Sequence, residues 1–282
     1  MKEMRHNVFL VIICFFGASL ALLVAYGFFF EPNDVEIHDV YIQDDRLAQI
    51  LAGKVVAQIS DMHMGATGRR EQSVMKILAK LDPDIIFLTG DYVSWNGDYK
   101  PALQFLSGLR AKMGIWAVMG DYDYSNSRKS CLFCHRANSV EFTDINSMKF
   151  LRNVSEQIKL PNGPLIIAGI DNENEDVPDI KIINALNNSD LPTIVLSHNP
   201  LTFDLVSDDA RLLMLSGDTH GGQIPLPSWF WRLIRYEKNA RYSQGLFRQG
   251  NKQMFVSRGI GWSHLPFRIL RKPEVAVLHF TD

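Results

Sequence analysis

"KVVAQISDMH", Lys54 to His63, carries the pattern from which the fold is read. A short Val/Ile-rich run reaches Ser60 and then breaks into Asp61 and His63. A run of this length, bounded by polar residues, reads as a strand buried in a sheet. The same grammar recurs. "DIIFLTG" (Asp84–Gly90) is followed by Asp91, and "GIWAVMG" (Gly114–Gly120) by "DYD", Asp121 to Asp123. "LIIAGI" (Leu165–Ile170) is another such run. "TIVLSH" (Thr193–His198) leads into Asn199, and "LLMLSG" (Leu212–Gly217) into Asp218 and His220.

Between several of these continuous apolar runs the apolar residues recur instead at helical spacing. Glu71–Leu81 carries Val74, Ile77, Leu78 and Leu81 on one face, and Pro101–Arg110 carries Leu103, Phe105, Leu106 and Leu109. Ile180–Leu186 is a third, shorter candidate. Alternating strands and helices predict an α/β fold with buried sheets. The late runs "KQMFVSRG" and "EVAVLHF" follow without a helix between them, which predicts a mixed sheet.

The chain has 282 residues, 21% of them charged, with net charge −2. That balance lacks the basic excess of a nucleic-acid binder. Val8 to Phe30 contains no charged residue, and about 20 apolar residues cross a bilayer. A cleaved signal peptide has a shorter apolar core, roughly 7–15 residues, and a small-residue cleavage site; "YGFFFEPND" offers no such site. Residues 1–34 are therefore expected to be an uncleaved N-terminal anchor in the inner (cytoplasmic) membrane, and 35–282 one domain with no linker dividing it. Lys2 and Arg5 precede the span, while Glu31, Asp34, Glu36 and Asp39 follow it. The positive-inside bias places the domain outside the cytoplasm, on a thin margin of charge that leaves the cytoplasmic face open.

Five strand ends thus bear Asp or His, and they converge if the strands share a sheet. In open α/β sheets ligands bind beyond the carboxyl ends of the strands. A single Asp after a strand is ordinarily a cap or turn residue. Five such ends together are different, because so many acids repel one another unless a cation lies between them. Mixed Asp/His shells suit Mn, Mg, Fe or Zn. Two ions roughly 3.5–4 Å apart generate a hydroxide nucleophile and clamp a phosphoryl group.

The ordered motifs "SDMHMG", "LTGDYV", "MGDYDY", "LSHNP" and "SGDTHGGQ" resemble the calcineurin-like metallophosphoesterases, whose pattern is D-x-H, GD, GNHD, a later H and GHxH. "GGQIPLP", "ARYSQGL", "VSRGIG" and "RKPEVAVLHF" resemble the membrane-anchored bacterial branch of that family, which includes a lipid A pathway UDP-2,3-diacylglucosamine hydrolase. The likeness runs from about Val55 to Phe280. It implies a four-layer α/β/β/α sandwich with two mixed sheets. It also implies a first metal on Asp61, His63, Asp91 and His220, and a second on Asp91, His198, Asp121 and Asp218, with Asp91 bridging.

Two of these ligands depart from the family pattern. "GNHD" has become "GDYD" and "GHTH" has become "GDTH". The second site is then three carboxylates and one imidazole, which favours Mg²⁺ or Mn²⁺ over Zn²⁺. Tyr122 stands where the family has a His near the leaving group. A phenol donates a hydrogen bond but is a poor proton donor at neutral pH. His264, in "GIGWSHLPF", either substitutes for that His from a loop over the site or is an ordinary surface residue. Pyrophosphates and other diesters with good leaving groups need least acid help.

Two stretches stand apart. "CLFCH" (Cys131, Cys134, His135) matches the attachment pattern of c-type haem, and equally a local disulfide, a zinc knuckle or two plain cysteines. "PLPSWFWRLIRYEKNARY" (Pro225–Tyr242) mixes aromatics with Arg232 and Arg235. It suits a membrane interface with those arginines on substrate or lipid phosphates, or an aromatic lid packed on the domain. The leading expectation is a two-metal phosphoesterase acting on a phosphorylated small-molecule or lipid-linked substrate, with no nucleic-acid or protein partner. The competing ones are a degenerate metal-binding protein and a haem or redox protein.

Overall fold

In the computed structural model, residues 2–65, 67–94, 99–124, 148–171, 181–186 and 189–282 are described. Helix α1 (Lys2–Phe29) is long and apolar enough to cross a membrane. The remaining elements are β1 (Glu36–Gln43), α2 (Asp45–Ile50), β2 (Val56–Ile59), α3 (Arg69–Leu81), β3 (Ile85–Thr89), α4 (Lys100–Gly108), β4 (Gly114–Val118) and β5 (Met148–Phe150). They are followed by β6 (Val154–Leu160), β7 (Gly163–Ile170), α5 (Lys181–Leu186), β8 (Thr193–Ser197), β9 (Leu213–Ser216), α6 (Ser228–Leu233), α7 (Glu237–Tyr242), β10 (Gly245–Gln249), β11 (Lys252–Val256) and β12 (Glu274–Thr281).

The strands form two six-stranded mixed sheets, β1-β12-β2-β3-β4-β5 and β10-β11-β9-β8-β7-β6. In the first, β2 to β5 run parallel and β12 joins antiparallel to β2. In the second, β11, β9, β8 and β7 run parallel, with antiparallel partners β10 and β6 at the edges. The five Asp/His-bearing strand ends belong to two sheets, in keeping with the expected sandwich of two mixed sheets, and converge across it rather than within one sheet.

Alternation along each strand decides what each face meets. Val56, Ile85, Phe87, Trp116 and Val118 face Leu165, Ile167, Ile194 and Leu213 across the sandwich. Ala57, Ile59, Ile86 and Leu88 turn the other way and pack on Val74 and Leu78 of α3 and on Ala102 and Phe105 of α4. The second sheet is covered outside by Phe203, Val206 and Tyr242, which pack on Val195, Met214 and Val256. Three apolar interfaces between four layers are the result. Each fully buried Val, Leu, Ile or Phe contributes about 1.5–3 kcal/mol. One polar group crosses the middle layer. The Gln58 amide donates to Thr89 Oγ1 and to the Ser216 carbonyl, each at 3.0 Å, and so links β2 to β3 and to the opposite sheet.

Helix α1 joins this sandwich at its last turn. The Phe28 and Phe267 ring centroids lie 4.6 Å apart, and the Arg268 N–H donates to the Gly27 carbonyl at 3.0 Å. A Cβ on Gly27 would stand 2.6 Å from the Phe267 ring, so this approach requires glycine. Just beyond, the Arg271 N–H donates to Glu31 at 2.6 Å, while its side chain donates to the Gly221 carbonyl at 3.0 Å.

Candidate metal centre

The carboxyl ends of β2, β3 and β4 on one sheet, and of β8 and β9 on the other, meet at one edge of the sandwich. Asp61 and His63 follow β2, Asp91 follows β3, and Asp121 and Tyr122 lie in the 3₁₀ turn Asp121–Asp123 after β4. His198 follows β8, and Asp218 and His220 follow β9. The loops are stitched across the sheets. Asp61 N–H donates to the Gly90 carbonyl at 3.0 Å, His63 N–H to the Asp91 carbonyl at 2.9 Å, and Asp218 N–H to Asp61 Oδ1 at 2.8 Å.

The backbone at these ends is unusual. Asp61 (φ 51°), His63 (43°), Asp91 (57°), Asp218 (74°) and His220 (52°) all lie in the left-handed region. Non-glycine residues enter it at a cost of about 1–2 kcal/mol each, and such strain gathers at functional sites. Close approach adds a second constraint. A Cβ on Gly120 would stand 2.0 Å from Asp91 Oδ1.

Seven candidate ligands converge. His63 Nε2 lies 3.0 Å from His220 Nε2 and 3.3 Å from Asp91 Oδ2. His198 Nε2 lies 3.4 Å from both Asp91 Oδ2 and Asp121 Oδ1, and His220 Nε2 is 3.8 Å from Asp61 Oδ1. Three groups have donor atoms within 4.8 Å of one another: Asp61/His63/His220, Asp61/Asp91/His198 and Asp121/His198/Asp218. His198 Nδ1 sits 2.7 Å from the Thr89 carbonyl. A carbonyl only accepts, so Nδ1 carries a proton and Nε2 is the atom turned to the site, able to ligate once its own proton is displaced. His198 Nε2, Asp61 Oδ2 and Asp121 Oδ1 are buried with no hydrogen-bond partner. Buried polar atoms are ordinarily satisfied, and a divalent cation among these donors satisfies them together, so the residues present fit metal.

Burial pushes the Asp61 carboxyl up to about 6 and that of Asp91 well above the usual carboxylate range. It pushes His63 down to about 3 and His220 well below the ordinary imidazole value, helped by the neighbouring histidines. Both are therefore neutral and able to ligate. His198 is lowered by burial, but Asp91 and Asp121 outweigh that and raise it overall. Tyr122 is pushed up to about 12 by burial and by Asp91, Asp121 and Asp218, and stays a phenol. Its ring lies edge-on to His63 at 4.5 Å, and its N–H donates to Asp91 Oδ1 at 3.0 Å.

The roles of three residues at the site escaped the sequence reading. Lys238 on α7 forms an ion pair with Asp218. A charge added at Asp218 hints at a nearby cation, but not that it comes from twenty residues on. Arg268, fully buried, donates to the Gly261, Arg258 and Arg271 carbonyls and lies 3.5 Å from His220 Nδ1. Asp123, the last acid of "GDYD", accepts the N–H groups of Asp91 (2.8 Å), Tyr92 (2.7 Å), Val93 (3.2 Å) and Gly120 (2.8 Å). It holds the Asp91 loop from behind. Asp123→Ala leaves these four N–H groups without an acceptor and is expected to cost about 3 kcal/mol. A thermal melt should fall by roughly 6–12 °C; a shift under about 3 °C would show that the clamp is not needed.

A cleft of about 760 Å³ opens over the centre. Asp91, Asp121, Tyr122 and Asp218 line its polar end; Ile224, Trp231, Ile234, Leu265 and Phe267 line the rest. His264 and Arg235 also line it, whereas Arg232 is exposed on α6 outside the lining. Trp231 is buried and Trp229 exposed, so the Pro225–Tyr242 stretch is part lid and part surface. The Cys131, Cys134 and His135 motif, with its haem, disulfide and zinc readings, lies outside the described residues.

The pattern of a family described as calcineurin-like phosphoesterase matches residues 54–222. The chain is 29% identical over 289 residues to the uncharacterized metallophosphoesterase YkuE of Bacillus subtilis, across 98% of each chain. It is 28% identical over 300 residues to the UDP-2,3-diacylglucosamine pyrophosphatase LpxG of Chlamydia trachomatis, across 88% of this chain and 90% of that one. Among solved structures, the phosphopantetheinyl hydrolase PptH of Mycobacterium tuberculosis aligns with TM-score 0.44 at 14% identity, over 78% of this chain and 96% of that one.

Proposed function

The chain belongs to the calcineurin-like phosphoesterase family, and on that premise we propose a membrane-anchored, two-metal hydrolase of phosphodiester or pyrophosphate bonds. One observation carries the reading most directly. His198 Nε2, Asp61 Oδ2 and Asp121 Oδ1 are buried without partners where the other donors converge. Asp61, His63, Asp91 and His220 would hold one ion, and Asp91, His198, Asp121 and Asp218 the other. Bound there, such ions activate water and offset the charge of a phosphoryl group. Three carboxylates at the second position favour Mn²⁺, Mg²⁺ or Fe²⁺ over Zn²⁺.

The chain's own residues then set the reaction's limits. The carbonyl of Thr89 fixes the His198 ring and its tautomer. Tyr122, with its phenol pushed up to about 12, donates a hydrogen bond to a phosphoryl or leaving oxygen without giving up its proton. Leaving groups that depart as stable anions are therefore favoured, as in a pyrophosphate or nucleotide-linked substrate. His264 and Arg235 line the cleft and would meet the leaving group and a substrate phosphate; Arg232 would meet phosphate from outside it. A UDP-diacylglucosamine-type substrate, as named for the LpxG relative, is the sharpest version. Residues 1–34 serve as anchor and 35–282 as the hydrolase, with the charge bias favouring the outer face of the cytoplasmic membrane.

A second reading, a metal-binding protein without turnover, is favoured by one contact. Lys238 already pairs with Asp218 and competes with an ion there. Metal content measured beside hydrolysis of bis-p-nitrophenyl phosphate separates the two. The proposal expects two ions per chain and turnover with Mn²⁺ or Mg²⁺. One ion per chain with no turnover under any metal would establish the second reading.

A further inference from the structure

Among the described residues, several of the large exposed apolar side chains outside α1 lie on the two segments that line the cleft. Trp229 and Leu233 on α6 are 64% and 72% exposed, and Leu265 and Leu270 on the loop between β11 and β12 are 60% and 72% exposed. Scattered exposed leucines need no explanation, but an apolar set flanking one cleft, with cations in the same stretch, does. Arg232 and Arg235 stand exposed in the same stretch.

The position of this set matters more than its composition. The loop bearing Leu265 and Leu270 is the segment on which α1 ends, through the Phe28–Phe267 contact and the Gly27–Arg268 hydrogen bond. Phe29 and Phe30, the next residues of α1's exit, are 73% and 65% exposed. The same loop is bound to the metal-bearing turn. The Gln223 side chain donates to the Leu265 and Phe267 carbonyls at 3.1 and 2.7 Å, three residues from His220. Leu265 and Phe267 also line the cleft. The point where α1 leaves the fold, the apolar rim and the mouth of the cleft are therefore one neighbourhood.

We propose that the rim made by α6 and the Leu265–Leu270 loop seats in the surface of the bilayer that α1 spans, so that the cleft opens onto the leaflet. The occupant is a phospholipid surface. Apolar and aromatic side chains enter the acyl boundary, with cations at phosphate depth, as on an interfacial amphipathic element. A substrate with acyl chains then enters laterally, its chains along Ile224, Trp231 and Ile234 and its phosphoester facing the ions that Asp91 and Asp218 would help to hold. This inference rests on the phosphoesterase reading above and on α1 as a span.

The test uses the full chain in phosphatidylglycerol/phosphatidylcholine vesicles, with and without acyl chains brominated at carbons 6 and 7. Brominated lipid should quench a tryptophan fluorescence component that the Trp229→Phe variant lacks. Equal quenching of the variant and the parent overturns the proposal, and so does a rim shielded from lipid by a second copy or another protein. The second arm compares soluble bis-p-nitrophenyl phosphate with a hexadecyl p-nitrophenyl phosphodiester embedded in the same vesicles. Leu233→Asp/Leu270→Asp should turn over the embedded ester roughly tenfold more slowly and the soluble one at the parental rate. An equal fall on both also overturns it. If the parent hydrolyses neither ester, the phosphoesterase reading fails, and the quenching arm alone decides whether the rim meets lipid.

Discussion

Asp91→Asn is expected to lower metal-dependent hydrolysis of bis-p-nitrophenyl phosphate at least about a thousandfold. Shared ions supply several kcal/mol of charge stabilisation, and each 1.36 kcal/mol is a factor of ten in rate. Asp91 is the residue whose loss removes most of that. Its Oδ2 lies 3.3 Å from His63 Nε2 and 3.4 Å from His198 Nε2, so it faces both halves of the centre. Asparagine keeps the shape, tolerates the left-handed backbone, and can still accept the Tyr122 N–H. The charge is what disappears. Metal content should fall with the rate, while the thermal melt of the metal-free protein stays the same or rises, because a buried carboxylate has been replaced by an amide. Retained turnover with two bound ions would remove Asp91 from the centre.

Tyr122→His is expected to act in the opposite direction, and selectively. A phenol held up to about 12 is a weak acid at neutral pH, whereas an imidazole is matched to it. Supplying a general acid is worth about 10²–10⁴ in rate. The half-buried site and the edge-on packing against His63 argue for the lower end. Turnover of an alkyl p-nitrophenyl diester should hardly change if nitrophenolate leaves. Turnover of a dialkyl diester, whose alkoxide needs a proton, should rise roughly a hundredfold. Equal response of the two esters would show that residue 122 does not reach the leaving group.

The candidate ligands were legible because each follows an apolar run with a fixed grammar, and five runs repeated it. The long apolar helix α1 was legible for a simpler reason: Val8 to Phe30 has no charge. What escaped notice depends on pairing rather than pattern. β6 reads "VSEQIKL", with only its last residue buried; at the edge of a sheet it has no long apolar run to display. β1 reads "EIHDVYIQ" and declares itself only through its parallel partner β12. Likewise nothing local to "EKNARY" says that Lys238 will reach Asp218, since α7 is brought there by the packing of Tyr242 against Phe203. Asp123 was visible as an acid, but its four N–H donors come from two separate loops.

The left-handed backbone at Asp61, His63, Asp91, Asp218 and His220 restricts what natural variation can try at these positions. Outside glycine, the residues that tolerate this conformation best are Asn, Asp and His, and all three can offer a donor atom to a metal. The permitted alphabet is thus set by the turn before any metal selects within it. Asp218, where the D-x-H … GHxH pattern has a histidine, lies inside that alphabet. An exchange between the two would alter the charge of the site without asking the chain to refold.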